Sequence, residues 1–456
     1  MRIFAFLQRM IKKTAMAAST SGKGNGMFVW SAVIFALNAI VAGQGPSIDQ
    51  STVNNPVQQQ MPNAINENFY KGSQNFSLNF FKQVSLTVDN DRNVTTTNIF
   101  VSPLSVWTLL ALLSEGAEGE TLREILEVMS VQDQNLIKHH FKSFQETINV
   151  KANGVEISSA QFMFTDKNHP VRHDFEHIVD TYYGENLFEA LDFSSSNESL
   201  RDSYNYINKV VSDATKGQIK RAIHPTNLDQ ARLLLLSVLF FQGEWTFPFN
   251  RSHTNESTPF YDENERIVAS VPMMFQKAIL PFAAFRELEA QIVELPYGSD
   301  RFMSMLVILP RKGVPLHEVV QRLANFNMEM IYKELRQVAE EYEDDEVEVF
   351  LPRFQISSDY VLKSVLFNMG MREAFHTGLA QFNKIASDIV VNDIFQKNKI
   401  VVNEEGTTAS SVSGAVFVNK ATPPRFIANR PFAFLIVDKR NDLILFMGQV
   451  KDPRTL

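Results

Sequence analysis

Asn403-Glu404-Glu405-Gly406-Thr407-Thr408-Ala409-Ser410-Ser411-Val412-Ser413-Gly414-Ala415-Val416-Phe417-Val418-Asn419-Lys420-Ala421-Thr422-Pro423-Pro424 is the stretch from which the fold of this chain is read. Strand-like runs flank it, residues 388–402 before and 430–437 after. Between Gly406 and Val418 no side chain is charged, none is proline and almost all are small. A surface loop ordinarily carries Pro, Asp, Asn or Lys. Thr407, Ala409, Ser411, Ser413 and Ala415 alternate, so in an extended strand they would share one face. All five are small enough to slip beneath a sheet that is already packed. A Ser/Gly/Ala-rich segment also describes a flexible linker, so composition alone leaves both readings open.

The rest of the chain bounds the choice. Its 456 residues are 45% hydrophobic with 37 Phe, which supports a large core rich in buried aromatics. Length fits two or three domains or one large mixed domain. The formal net charge of −8 argues against nucleic acid or an anionic membrane as the main partner. With no cysteine there are no disulfides, cysteine-bound metals or thiol nucleophiles. A domain of this size buries enough apolar surface to do without such staples.

Residues 27–42 are apolar but short for a membrane span, and Arg2, Arg9, Lys12, Lys13 and Lys23 lie upstream. Val41-Ala42-Gly43 supplies small residues at a cleavage site before Gln44. Residues 1–43 read as a signal peptide with a long basic leader, the alternative being an uncleaved anchor. Met16 and Met27 are alternative starts. Residues 44–64 are rich in Gln, Asn, Ser and Pro and read as a disordered arm, with the folded unit running over 65–456. Sequons at Asn75, Asn93, Asn197, Asn250 and Asn255 fit a secreted glycoprotein.

Periodicity places helices at 66–86, 172–183 and 199–215, the last closed by Gly217. A short strand from Asn98 runs into an apolar, hence buried, helix, with Ser102 suited to cap it and Pro103 to its first turn. Another helix follows Gly119, with Thr121 as its expected cap. Residues 155–164 and 233–241 read as strands, the second fully apolar except for Ser237. Residues 271–274, 294–297, 305–310 and 347–354 read as strands of smaller sheets.

Chemistry-bearing motifs are few. His173-Asp174-Phe175-Glu176-His177 matches H-x-x-E-H and puts two histidines four apart on one helix face. No third protein ligand is identifiable, so the histidines read as helix-surface residues. Lys138, His139, His140 and Lys142 form a basic cluster that could receive a glycosaminoglycan or be a solvated helix face. No Gly-x-Ser-x-Gly elbow is present.

Several segments together resemble one family. Glu404-Glu405-Gly406-Thr407 looks like the hinge of a serpin reactive-centre loop. Phe426-Ile427-Ala428-Asn429-Arg430-Pro431-Phe432 and Leu445-Phe446-Met447-Gly448-Gln449-Val450 resemble that family's closing segments. The block from Asn98 through Thr121 and Ile207-Asn208-Lys209-Val210-Val211 with Thr215-Lys216-Gly217-Gln218-Ile219 resemble others, with Val210 where Trp is usual. The resemblance runs from about Ile65 to Pro453.

It implies an α+β serpin fold, three β-sheets surrounded by about nine helices with an exposed reactive-centre loop. It also implies a monomer without cofactor or metal that inhibits serine proteases and is not an enzyme. In this family the loop is bait: a protease cuts it, and the cut loop inserts into the main sheet with the acyl bond intact. Serpin loop insertion is a known case of strand addition to a sheet and of strain released by cleavage. The implied hinge is Glu404, Glu405, Gly406, Thr407, Thr408, Ala409, Ser410, Ser411 and Val412.

Counting sixteen positions from Glu404, or back from Asn429-Arg430-Pro431-Phe432, gives Lys420, with Ala421 following. A lysine there suits a trypsin-like protease whose pocket holds an Asp. The Asn419-Lys420 pair resembles insect haemolymph serpins that restrain clip-type proteases in melanisation and Toll activation. A non-inhibitory serpin, acting as carrier, chaperone or storage protein, is the alternative. The family often places an Asn and a His beneath the gate through which the loop enters. Here those positions hold Ser237 and Gln396, expected to bond to each other and to Ser102 or Ser105.

Overall fold

The structure is a computed structural model that describes residues 61–90, 98–138, 140–141, 154–184, 187–193, 196–229, 231–341, 345–404 and 423–454. The chain divides into two compact units, Met1–Met61 and Pro62–Leu456. The first, apart from Met61, lies outside the described residues, and with it the leader and most of the arm.

Three sheets organise the second unit. A five-stranded sheet has the order β11 (Phe354–Val361), β12 (Val391–Val402), β4 (Leu233–Gly243), β2 (Val155–Asp166), β3 (Phe188–Leu191). A six-stranded sheet runs β1 (Ile99–Val101), β15 (Leu443–Val450), β14 (Phe432–Asp438), β9 (Met303–Pro310), β8 (Ala290–Tyr297), β7 (Phe282–Phe285). A four-stranded sheet runs β13 (Arg425–Ile427), β10 (Val347–Pro352), β6 (Ile267–Ala278), β5 (Asn255–Tyr261).

Around them, among the described residues, are α1 (Met61–Asn90), α2 (Pro103–Gly116), α3 (Gly119–Met129), α4 (His173–Ile178), α5 (Asn197–Ala214), α6 (Leu316–Leu323), α7 (Met328–Glu341) and α8 (Lys363–Met369). A further helical stretch begins at Gln134. The architecture is the α+β arrangement that the resemblance implies.

The apolar run of β4, broken only by Ser237 between Leu233 and Phe241, reflects burial on both faces. Leu234, Leu236 and Val238 pack with Ile207 and Val211 of α5. Leu233, Leu235, Leu239 and Phe241 face the main core. The two-residue repeat therefore turns Ser237 toward the main core, a polar group among leucines. On β12, Ile394 and Ile400 face that core too, so the same repeat brings Gln396 and Asn398 inward between them. α2 lies against this face and is buried along all of its length.

Several sequence expectations shift. α1 starts at Met61, so the last residues of the expected 44–64 arm belong to a helix. A helix once nucleated extends at little cost. α3 begins at Gly119, whose φ of +54° turns the chain in two residues before Thr121. Thr121 is therefore not the cap. Its hydroxyl accepts from the Gln381 N–H at 3.0 Å and donates to Glu373 at 3.2 Å.

The helix expected over 172–183 changes at Val179 into a wider π turn, which ends with the Tyr183 hydroxyl on Glu115 at 2.7 Å. Residues 347–354 are not one strand. The chain leaves the four-stranded sheet after Pro352 and joins the five-stranded sheet at Phe354, with Arg353 at the break. β8 and β9 belong to the six-stranded sheet rather than a small one.

Candidate functional site

β4 and β12 are parallel neighbours at the centre of the five-stranded sheet. They pair from Val391 opposite Leu233 to Ile400 opposite Phe241, closed along their length. β12 carries the chain to Glu404, and the chain re-enters the described residues at Pro423, where it leads into β13. Glu405, Gly406, Thr407, Thr408, Ala409, Ser410, Ser411, Val412, Lys420 and Ala421 lie outside the described residues. At the far end, the Glu348 N–H donates to the Pro424 carbonyl at 3.0 Å, and Arg425 pairs with Glu348 at 2.8 Å.

Beneath the closed pair, four residues singled out from the sequence meet. Gln396 and Ser237 are register partners on β12 and β4. Ser102 caps α2 by accepting from the Ser105 N–H at 3.3 Å. The Gln396 Nε2 group donates to the Ser102 carbonyl at 2.8 Å and to Ser105 Oγ at 2.9 Å. Its Oε1 accepts from the Ser102 N–H at 3.2 Å and from Asn398 Nδ2 at 3.0 Å. Ser237 Oγ donates to Ser105 Oγ at 2.8 Å, so Ser237 and Gln396 meet through Ser105 rather than directly.

Ser105 donates in turn to the Ser102 carbonyl at 3.0 Å, and Ser102 Oγ to the Leu445 carbonyl at 2.8 Å. Asn398 adds a second tie, donating to the Phe100 carbonyl at 3.0 Å. All five side chains are at most 2% exposed. In so dry a place each bond matters, because an unpaired group would keep its desolvation cost. The network joins β4 and β12 to β1 and α2 using neutral groups alone.

A second cluster holds the top of β12. The Trp245 indole N–H donates to the Asn403 carbonyl at 2.9 Å, and its ring stacks on Tyr297 with centroids 4.4 Å apart. The next residue, Glu404, is only 4% exposed. Its carboxylate accepts from Thr254 Oγ at 2.8 Å and from Arg353 through Nε at 3.0 Å and through Nη2. Burial pushes the Glu404 carboxyl up, but the bonds from Arg353 and Thr254 outweigh it and hold the group below its ordinary value. The bond to Glu404 likewise raises Arg353. Arg353 is the residue at the switch between sheets, and its N–H donates to the Pro272 carbonyl at 2.9 Å. Glu404 thus fastens the start of the loop to two sheets at once.

The sequence signalled Glu404, Ser102, Ser105, Ser237 and Gln396, but not Asn398, Arg353, Thr254 or Trp245. For Asn398 a signal existed: an amide two residues beyond Gln396, on the same inward face. Arg353 and Thr254 carry none, because their partner lies far along the chain.

Other candidates resolve differently. Lys138 pairs with the buried Glu115 at 3.0 Å and lies over the Tyr182 ring at 5.9 Å, so it is not a free surface cation. The His140 ring packs on Phe69 at 4.8 Å, while His139 and Lys142 lie outside the described residues. Among the described residues no three metal-ligating side chains gather, and His173 and His177 find no third ligand. Asn75, Asn197, Asn250 and Asn255 are exposed, and Asn93 lies outside the described residues. No described helix is long and apolar enough to cross a membrane.

Comparison with known proteins agrees with this geometry. The family pattern described as Serpin (serine protease inhibitor) matches residues 71–453. Serpin B9 of Homo sapiens is 31% identical over 362 residues, covering 78% of this chain and 93% of the relative. Plasminogen activator inhibitor 2 of Mus musculus is 29% identical over 426 residues, covering 83% and 98%. The crystal structure of Manduca sexta serine protease inhibitor (serpin)-12 superposes with a TM-score of 0.69 at 22% identity, covering 84% of this chain and 99% of the other, a likeness of fold.

Proposed function

The chain belongs to the serpin family of serine protease inhibitors, and from that premise we propose that it is a secreted inhibitor that captures trypsin-like proteases, of the clip type, as covalent acyl complexes. The protease's serine oxygen attacks the Lys420 carbonyl carbon, Ala421 leaves as a free amine, and an ester joins the enzyme to Lys420. The freed loop then enters between β4 and β12 as a new strand. About fifteen residues at ~3.3 Å each reach ~50 Å, enough to carry the protease across the molecule. Distortion there removes the oxyanion hole, so the ester outlives the reaction. A dozen new backbone hydrogen bonds at ~1 kcal/mol each contribute on the order of 10 kcal/mol.

The observation that carries this reading is the closed β4–β12 pair, latched by Gln396, Ser237 and Ser105, with Glu404, at the end of the described run after β12, anchored by Thr254 and Arg353. A pair of parallel neighbours held by side-chain bonds to α2 can part and accept a strand. The absence of charge between Gly406 and Val418 supports low resistance to insertion. Lys420 supports the trypsin-like target, and the Asn419-Lys420 pair supports restraint of melanisation or Toll-type extracellular cascades. Four exposed sequon asparagines support secretion and glycosylation.

Incubation with trypsin followed by denaturing electrophoresis tests the proposal. A band near the summed mass of both proteins is expected. Cleaved chain without that band would refute capture and favour the carrier, chaperone or storage reading.

A further inference from the structure

A cleft of about 460 Å³ opens where β5 turns into β6, where β9 ends, and where the chain passes from β13 to β14. Tyr261, Pro310, Val314, Ile427 and Pro431 line it. Its size and mostly apolar walls suit a small organic molecule.

Its charged groups differ in how they are occupied. Asp262 Oδ1 accepts from the N–H groups of Asn264 at 2.9 Å and Arg266 at 2.8 Å. Glu263 accepts from the Leu316 N–H at 2.8 Å, and Glu265 pairs with Lys312 at 2.9 Å. Each acid thus has at least one partner, whereas two arginine side chains have one or none among the described residues. Arg430 has five N–H donors and, among the described residues, makes one side-chain hydrogen bond, from Nη2 to the Pro310 carbonyl at 2.7 Å. Its Nε is buried without a partner. Among the described residues no carboxylate pairs with it, and burial pushes its pKa down. Arg311 is exposed, and its side chain has no partner among the described residues. A half-buried guanidinium with spare donors is costly unless something matches it.

We propose that this cleft binds a small amphipathic organic carboxylate, its apolar body against Tyr261, Pro310 and Pro431 and its charged end on Arg430 and Arg311. A carboxylate offers the acceptors that the guanidinium lacks, and a planar fork meets it in two bonds. Arg430 stands at the joint between β13 and β14, and β13 is held on β10 by only three residue pairs. The bound acid therefore ties the strand at the loop's far end to the turn after β9, and slows hydrogen exchange over 425–431.

Isothermal titration of the intact folded protein with 1-naphthoate, and with uncharged 1-naphthalenemethanol, tests this. The acid is expected to bind saturably, one per chain, and the alcohol at least about tenfold more weakly. Arg430→Gln is expected to weaken the acid by about tenfold and Arg311→Glu by a smaller but measurable factor. No saturable binding of the acid, equal binding of acid and alcohol, or indifference to the substitutions would overturn the proposal. If Arg430→Gln does not fold, Arg311→Glu, which removes no side-chain hydrogen bond or ion pair among the described residues, and the acid–alcohol contrast decide. None of these readouts involves the loop or a protease, so the outcome is separate from that of the trypsin experiment.

Discussion

Replacing Gln396 by Leu tests the latch beneath β4 and β12. The Gln396 amide makes four hydrogen bonds in the native molecule, two donated and two accepted. Leucine keeps roughly the volume and removes all four. The Ser102 carbonyl retains the Ser105 hydroxyl, Ser105 Oγ retains Ser237, and Asn398 retains the Phe100 carbonyl. The Ser102 N–H, however, loses its acceptor in a residue that is 2% exposed. One orphaned donor costs about 1–3 kcal/mol, and three weakened sites add about 1 kcal/mol or less each. The expected loss is about 3 kcal/mol.

Ser237→Ala offers the contrast. It removes one bond and leaves Ser105 with its others, so about 1 kcal/mol or less is expected. Urea unfolding followed by tryptophan fluorescence reads both, since Trp245 lies at the top of the same sheet. Equal midpoints for the two variants, or a Gln396→Leu loss under about 1 kcal/mol, would refute the view that the amide is the latch.

Four further outcomes are expected. Because Glu404 titrates below its ordinary 4.5 in the folded protein, its contribution is intact above that pH and is lost as pH falls through the lower folded value. Urea midpoints from neutral to acid pH should therefore drop more steeply in the native protein than in Glu404→Gln, and parallel curves would contradict this. Lys420→Ala should abolish trypsin capture on denaturing gels, and unchanged capture would move the scissile bond elsewhere. Thr407→Arg should turn inhibitor into substrate, seen as cleaved chain replacing complex, because a charge carried into the sheet stalls insertion. Clipping the loop with a protease that is not captured should raise the melting temperature, and an unchanged temperature would mean that no insertion follows the cut.

Much of the molecule could be read from residues alone. The apolar run of β4, the Ser102-Pro103 start of α2 and the charge-free stretch after Gly406 are local facts, set by propensity, capping and two-residue alternation. The resemblance singled out Ser237 and Gln396, but with both faces of β4 apolar, alternation alone does not say which face they take. Nor does it say what they meet. Ser237 reaches Ser105 across 132 positions and Gln396 reaches Ser105 across 291, and register and the docking of α2 select those partners. The strand expected over 347–354 breaks at Arg353 because the chain passes there from the four-stranded to the five-stranded sheet, and that break brings Arg353 to Glu404. Sequence period thus determined which side chains share a face. Only the packed sheets decided which distant groups share that face, since hydrogen-bond partners are fixed by distance in space and not by distance along the chain.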